Sequence, residues 1–360
     1  METGSAEKRL KELLSLVGQQ GASDLHLVVG RYPTIRVDGK LHPVSQDKIL
    51  VPADTKALSD VLLTEDKKQE LLSLGHTDFS YNYDDKVRFR TNVFLQKGYV
   101  SVTMRFVMDK LRNLDELSVP STLYEFSKYS QGLVLVTGPV GHGKSTTLAA
   151  IIDYINHNLE KHILTIEDPI EFVYAQDRCI INQREIGRDA KNFPDALRAV
   201  FREDVNVVLL GELRDLETIS TAMTAAETGH LIFATLHTND CAQTIDRVID
   251  VFPVHQQNQI RAQLSSVLLG VISQRLIPKI GGGRIPAVEI MFKNSAVENL
   301  IRENKVHQID SVIETSLKDG MVSLDRALAE LVKRGLVSLD DAFNYSKNRD
   351  YLQLLLSKED

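Results

Sequence analysis

The stretch LVLVTGPVGHGKSTT, residues 133–147, constrains this chain more than any other. An apolar run runs into a loop that matches G-x-x-x-x-G-K-[ST] at Gly138, Gly143, Lys144 and Ser145, with Gly141 between them and Thr146 just after. Glycines there let backbone N–H groups curl around phosphate oxygens, and a helix starting near Ser145 points its positive end at them. The expected nucleotide-binding set is therefore Gly138, Gly141, Gly143, Lys144, Ser145 and Thr146. Lys144 would neutralise the β- and γ-phosphates of ATP, and the Ser145 hydroxyl would ligate Mg²⁺.

Such a loop demands a strand before it and a helix after it, and the rest of the second half supplies both. Short apolar segments alternate with helical stretches: HILTI (162–166), VNVVLL (205–210) and LIFATL (231–236), with helices expected around 194–201 and 216–227. This is the grammar of an α/β domain with a buried, parallel-rich sheet, here expected to be RecA-like. From about Asn258 the tail reads as mainly helical, interrupted by a hairpin-like insertion, IPKIGGGRIPAVEIMF (277–292). The first half differs. Residues 22–107 alternate at period two, with Asp-Gly and Asp-Asp turns, after an amphipathic helix at 8–17 and with two more helices around 54–63 and 65–74. The expected layout is a smaller α+β (PAS-like) domain over 1–112, a linker over 113–130 containing Pro120, and the ATPase domain with its helical tail over 131–360.

Ligands of parallel sheets bind beyond the carboxyl ends of the strands. Those ends carry Glu167 and Asp168 after HILTI, Gly211 and Glu212 after VVLL, and His237 after LIFATL. Glu212 is expected to orient and activate the attacking water, Glu167 to lie close to the metal or that water, and Asp168 to stand on the Mg²⁺ side; the alternative for either of these last two is a strand-end salt bridge. His230 and His237 flank one strand. They are unpromising as a metal pair, having no third ligand at suitable spacing; sensing the γ-phosphate or bridging to a neighbouring subunit fits them better, and for His230 a plain loop role stays open. His142 inside the loop reads as an exposed, tolerated side chain. Arg88, Arg90 and Arg105 of the first domain could reach a phosphoryl site held elsewhere, or could form a solvated surface.

Composition narrows the class. With 43% hydrophobic and 25% charged residues the 360-residue chain is of ordinary globular type, and no apolar run approaches the ~18 residues that span a bilayer. The N-terminus lacks a signal-peptide layout, and Cys179 and Cys241 form no CxxC pair, so a reducing cytoplasm is expected. A net charge of −7 without an aromatic-basic stripe argues against a nucleic-acid translocase, so no nucleic acid is expected as partner.

Taken together the segments resemble the secretion-type ATPases of bacterial pilus and type II secretion machines. GPVGHGKSTT resembles their phosphate loop GPTGSGKSTT, with Val140 and His142 as departures; TIEDPIEF resembles their aspartate box, FREDVNVVLLGELRD their acidic strand carrying glutamate, and TAAETGHLIFATLHTNDCAQTIDRVIDVFP their histidine box. Within the family the chain is most similar to the pilus-retraction branch. ASDLHL comes early, leaving no room for an extra leading domain, and no four-cysteine zinc insertion is present. QRLIPKIGGGRIPAVEIM matches that branch, and AVENLIRE resembles its AIRNLIRE motif with Val297-Glu298 substituted. The resemblance implies a homohexamer hydrolysing ATP between its domains, with arginines such as Arg90 and Arg105 completing the site. It also implies a seat at the inner face of the bacterial inner membrane, docked on a PilC-type platform protein, and allows a paralogous ATPase beside it. An accessory or extension motor is the alternative.

Overall fold

The structure, a computed structural model, describes residues 3–37, 39–44, 47–83, 87–107 and 111–357. Contacts divide the chain into two compact units, 1–110 with 169–173, and 111–168 with 174–360.

In the first unit the elements run α1 (Thr3–Gln19), β1 (Asp24–Leu27), β2 (Thr34–Val37), β3 (Lys40–Pro43), α2 (Pro52–Leu62), α3 (Glu65–Leu74), β4 (His76–Asn82), β5 (Arg88–Gln96) and β6 (Tyr99–Val107). The six strands form one antiparallel sheet in the order β3-β2-β1-β6-β5-β4. Period-two alternation puts Phe89, Thr91 and Val93 of β5 inward against Leu10 and Leu14 of α1 and Leu58 of α2. Helix α1 presents Ala6, Leu10, Leu13, Leu14 and Val17 at helical spacing, which is the stripe that covers the sheet. The tight β5–β6 turn is Lys97-Gly98, both at positive φ (51° and 79°), as a two-residue hairpin loop requires. Of the turns expected from sequence, Asp38 and Asp84-Asp85 lie outside the described residues.

The second unit contains β7 (Gly132–Thr137), α4 (Lys144–Asn158), β8 (His162–Glu167), β9 (Ile180–Glu185), α5 (Phe193–Ala199), β10 (Val207–Leu210), α6 (Leu216–Glu227), β11 (Leu231–Leu236), α7 (Cys241–Asp250), α8 (Val254–Val267), β12 (Leu268–Pro278), β13 (Arg284–Phe292), α9 (Ser295–Arg302), α10 (Ile309–Thr315), α11 (Leu324–Lys333), α12 (Leu339–Tyr345) and α13 (Arg349–Ser357). Its seven-stranded sheet runs β13-β12-β7-β11-β10-β8-β9, parallel throughout except for the antiparallel β12–β13 pair at one edge. The parallel-rich α/β class expected from the sequence is what folds. Strands β7, β10 and β11 are buried at every position, as helices on both faces dictate.

Two segments differ from the sequence reading. Residues 268–276, read as helix, begin β12, which joins the main sheet beside β7 instead of forming an insertion. The stretch expected as a linker packs into this unit: Leu114, Val119, Leu123 and Phe126 are buried, and Phe126 stacks on Phe292 at 4.6 Å. Gly270 makes that stack possible, since a Cβ there would lie 2.6 Å from the Phe126 ring.

The tail forms a core of its own, where Ile277, Ile285 and Ala287 of the hairpin meet Leu324, Leu328, Leu352 and Leu355. A charge cluster around the buried Glu289 ties it down. Lys347 lies 2.9 Å from Asp310 and 3.3 Å from Glu289, while Glu289 also accepts the Cys241 amide at 2.8 Å. Asp325 accepts from the Ser346 hydroxyl and from the Lys347 and Asn348 amides.

Candidate functional site

Strand β7 delivers the phosphate loop to the middle of the sheet's carboxyl edge. Gly138, Gly141 and Gly143 all sit at positive φ (139°, 77° and 81°), a region costly for any residue with a Cβ. At Gly138 the constraint is also steric, because a Cβ would come 2.3 Å from the carbonyl oxygen of Gln274. Gly143 caps α4 with no side-chain hydrogen bond, so the first amides of the helix stay available to an anion at its positive end. Ser145 and Thr146 follow, half-buried, in the first turn.

Lys144 is 7% exposed and folds back over its own loop, donating to the carbonyls of Gly138 (2.8 Å) and Pro139 (3.1 Å). Its ammonium also meets His237 Nδ1 at 3.3 Å, and His237 Nε2 meets Glu212 Oε2 at 3.2 Å. An ammonium can only donate, so Nδ1 accepts; the ring proton belongs on Nε2 and is donated to Glu212. Three residues from three strand ends are thus joined in one chain of hydrogen bonds. Glu212 additionally pairs with Arg214, whose pKa this contact raises, with Asp168 adding to the effect. On the adjacent strand end Glu167 is buried and accepts from the Thr165 hydroxyl at 2.7 Å, whereas Asp168 is exposed.

Gly211 follows β10 directly, beside the end of β8. Its amide donates to Ile166 at 2.8 Å, and a Cβ there would stand 3.4 Å from Glu167 Cα. The β10 and β8 ends run side by side, and Glu212, the next residue, faces His237.

Of the residues expected from sequence, the structure gathers Lys144, Ser145, Glu167, Asp168, Glu212 and His237 at one rim. His230 is elsewhere. It precedes β11, so the length of that strand, about 20 Å for six residues, separates it from the rim. Its Nδ1 lies 3.1 Å from the Ala225 carbonyl and its ring meets Phe201 edge-on. Within one chain His230 is thus a helix-end residue of α6 and not a member of the Lys144 cluster. His142 is not a free surface side chain either; it binds β12. Arg90 and Arg105 belong to the first unit, directly opposite each other on β5 and β6. Arg105 donates to Asp24 on β1 (2.9 Å), which also faces Arg36 at 3.6 Å, so one row across the sheet carries Arg90, Arg105, Asp24 and Arg36. Burial pushes the Asp24 carboxyl up, but the Ser23 and Arg105 hydrogen bonds outweigh it and hold it below the ordinary range.

Sequence reasoning missed Gln274 and Arg214. Gln274, 2% exposed, donates to the His142 carbonyl at 2.8 Å and accepts from Thr147 at 2.7 Å, stapling the loop to the first turn of α4. A lone glutamine in the middle of a strand of uncertain type gives no signal in sequence.

The donors at this rim are hydroxyl and carboxylate oxygens, hard ligands of the kind Mg²⁺ prefers, and Thr137, one residue before the loop, has a buried hydroxyl with no partner among the described residues. The residues fit a magnesium nucleotide.

A phosphate loop on a buried parallel sheet, with a glutamate and a histidine at the neighbouring strand ends, defines a nucleotide-hydrolysing motor domain. The chain belongs to the type II/IV secretion system protein family, whose model matches residues 1–283, and it is an ATPase of that family. Its relatives include the type IV pilus retraction ATPase PilT of Pseudomonas aeruginosa, 48% identical over 326 residues, covering 90% of this chain and 94% of the relative. A twitching motility protein of Neisseria gonorrhoeae is 44% identical, covering 83% of this chain and 80% of its own. Among solved structures, the pilus retraction motor PilT with bound ADP superposes with a TM-score of 0.89 at 45% identity, covering 96% of this chain and 98% of that one. Nucleotide binding is thus common to the chain and its solved relative.

Proposed function

We propose that this chain is the ATP-driven motor of type IV pilus retraction, working as a homohexamer at the cytoplasmic face of the inner membrane against a PilC-type platform protein. The observation that carries the motor chemistry is the Lys144–His237–Glu212 chain beside the phosphate loop. The similarity to pilus retraction and twitching proteins supports the biological role. Among the described residues no helix is long and apolar enough to cross a membrane, so attachment would come from the partner.

In this mechanism the phosphates draw Lys144 off the Gly138 and Pro139 carbonyls and satisfy the amides at the start of α4. Ser145, with Glu167 and Asp168 on the metal side, would hold Mg²⁺, which would supply positive charge to offset the negative charge that develops in phosphoryl transfer. Glu212 orients and activates the attacking water. His237, released by Lys144, reports the γ-phosphate to Glu212, to which its Nε2 stays bonded. Arg90 and Arg105 stabilise transferred charge as the site is completed in the hexamer.

Two measurements test the proposal. Glu212→Ala should keep ATP binding while turnover falls by roughly 10²–10⁴-fold; surviving hydrolysis would remove Glu212 from its role. Deleting the gene in its own bacterium should leave more surface pili that no longer shorten. Fewer pili would make it an assembly motor, and the retraction reading would fall.

A further inference from the structure

The apex of the phosphate loop is gripped from the β12–β13 hairpin. Arg284 donates to the Gly141 carbonyl (3.3 Å) and Gln274 to the His142 carbonyl (2.8 Å), while the backbone N–H of Leu276 donates to His142 Nδ1 at 3.0 Å. That last bond has a topological cause. Strand β7 pairs with β12 only as far as Thr137↔Ser273, where the chain leaves the sheet to become the loop. The Leu276 amide lies past that point. It would lack a strand partner, and His142 supplies the acceptor in place of one.

We propose that His142 is a positioning residue for the nucleotide: by accepting the Leu276 amide, its imidazole holds the loop apex in the shape that receives the phosphates. The proposal rests on the reading above that this loop takes ATP. The bond requires a bare Nδ1, hence a neutral ring carrying its proton on Nε2. A second proton would set N–H against N–H and open the clasp. Burial, then the cations facing the ring (Arg275 and Arg284 from the hairpin, Lys144 from α4), hold the His142 pKa below its ordinary value, so the clasp is closed at neutral pH. His142 touches none of the reacting atoms. Its loss should therefore act on nucleotide affinity and leave the chemical step alone.

Steady-state ATP hydrolysis by the full chain, with ADP binding followed in parallel, tests this at about pH 8 and about pH 4.5, the lower point taken well below the ordinary histidine value because the His142 pKa is itself depressed. His142→Ala, which has no acceptor, should raise KM and the ADP Kd by roughly 3–10-fold at both, with kcat within about twofold, the loss expected for one hydrogen bond. His142→Asn places an amide oxygen where Nδ1 stood and does not titrate. It should keep the wild-type KM at the higher pH and hold it at the lower one, where wild-type KM rises. Unchanged KM in His142→Ala, or a His142→Asn profile that follows wild type, overturns the clasp. Neither ADP binding nor turnover by the wild type would instead overturn the nucleotide reading and the clasp with it.

Discussion

Replacing Gln274 with leucine tests whether the staple between β12 and the phosphate loop carries stability as well as shape. The side chain is 2% exposed and its amide makes two hydrogen bonds, to the His142 carbonyl and from the Thr147 hydroxyl. Leucine keeps most of the volume and removes both bonds. The His142 carbonyl sits at a half-buried residue that water can reach, so its loss costs about 1 kcal/mol. Thr147 is 1% exposed, and its orphaned hydroxyl costs a further ~1–3 kcal/mol. The sum, about 2–4 kcal/mol, corresponds to a Tm loss on the order of 5–15 °C for a unit of this size. Thr147→Val in the same chain removes the orphan and should restore about 1–2 kcal/mol, so the double variant is more stable than Gln274→Leu alone. Differential scanning fluorimetry of the four proteins reads this directly. If the two losses simply add, the buried bond does not exist as described and the reasoning fails.

Lys347→Met should destabilise the protein by about 3–5 kcal/mol in urea titrations, because it leaves Glu289, 2% exposed, without its cation; adding Glu289→Gln should recover much of the loss, and no recovery would refute the pairing. Burial alone would lower the Lys347 pKa, but Glu289, Asp310 and Asp240 raise it well above its ordinary value. Its contribution is therefore fully present below about pH 10.4, the unfolded value, and is lost as pH rises through the folded one; the gap to Lys347→Met should stay constant from about pH 7 to 10 and narrow only above. The depressed Asp24 carboxyl gives the opposite profile: its contribution is present above about pH 3.9 and is lost as pH falls through the folded value, so Asp24→Asn and wild type should converge in acid.

What could be read from sequence followed the local chemistry. The phosphate loop announced itself through glycines whose backbone angles no other residue adopts cheaply, and the strand-end acids through their positions after short apolar runs. Strand β12 was hidden because α8 passes into it at Val267–Leu268 with no intervening turn, and LLGVIS fits a buried helix as well as a buried strand. The packed segment over 113–130 was hidden because Val119, Leu123 and Phe126, although at helical spacing, straddle Pro120 in a polar stretch that reads as a break, and Leu114 stands apart from them. His142 and Gln274 meet across more than a hundred residues of chain, and their partnership follows from the placement of β12, so neither could be recognised until that strand was. His230 stands before its strand and so at the opposite end from the rim, which leaves for it the subunit-bridging and loop roles that the sequence also allows.

Strand β12 is one unbroken piece of backbone with two attachments. Gln274 and Leu276 grip the loop that receives phosphate, and Ile277, the next residue, is embedded in the core of the C-terminal helices. No flexible joint separates them. A pull on α11–α13 that slid this strand by a single residue would travel about 3.3 Å and also turn each side chain to the other face of the sheet. Load borne by the tail and nucleotide held by the loop therefore share a lever with no slack in it, and a heavily loaded subunit should grip its nucleotide differently from an idle one.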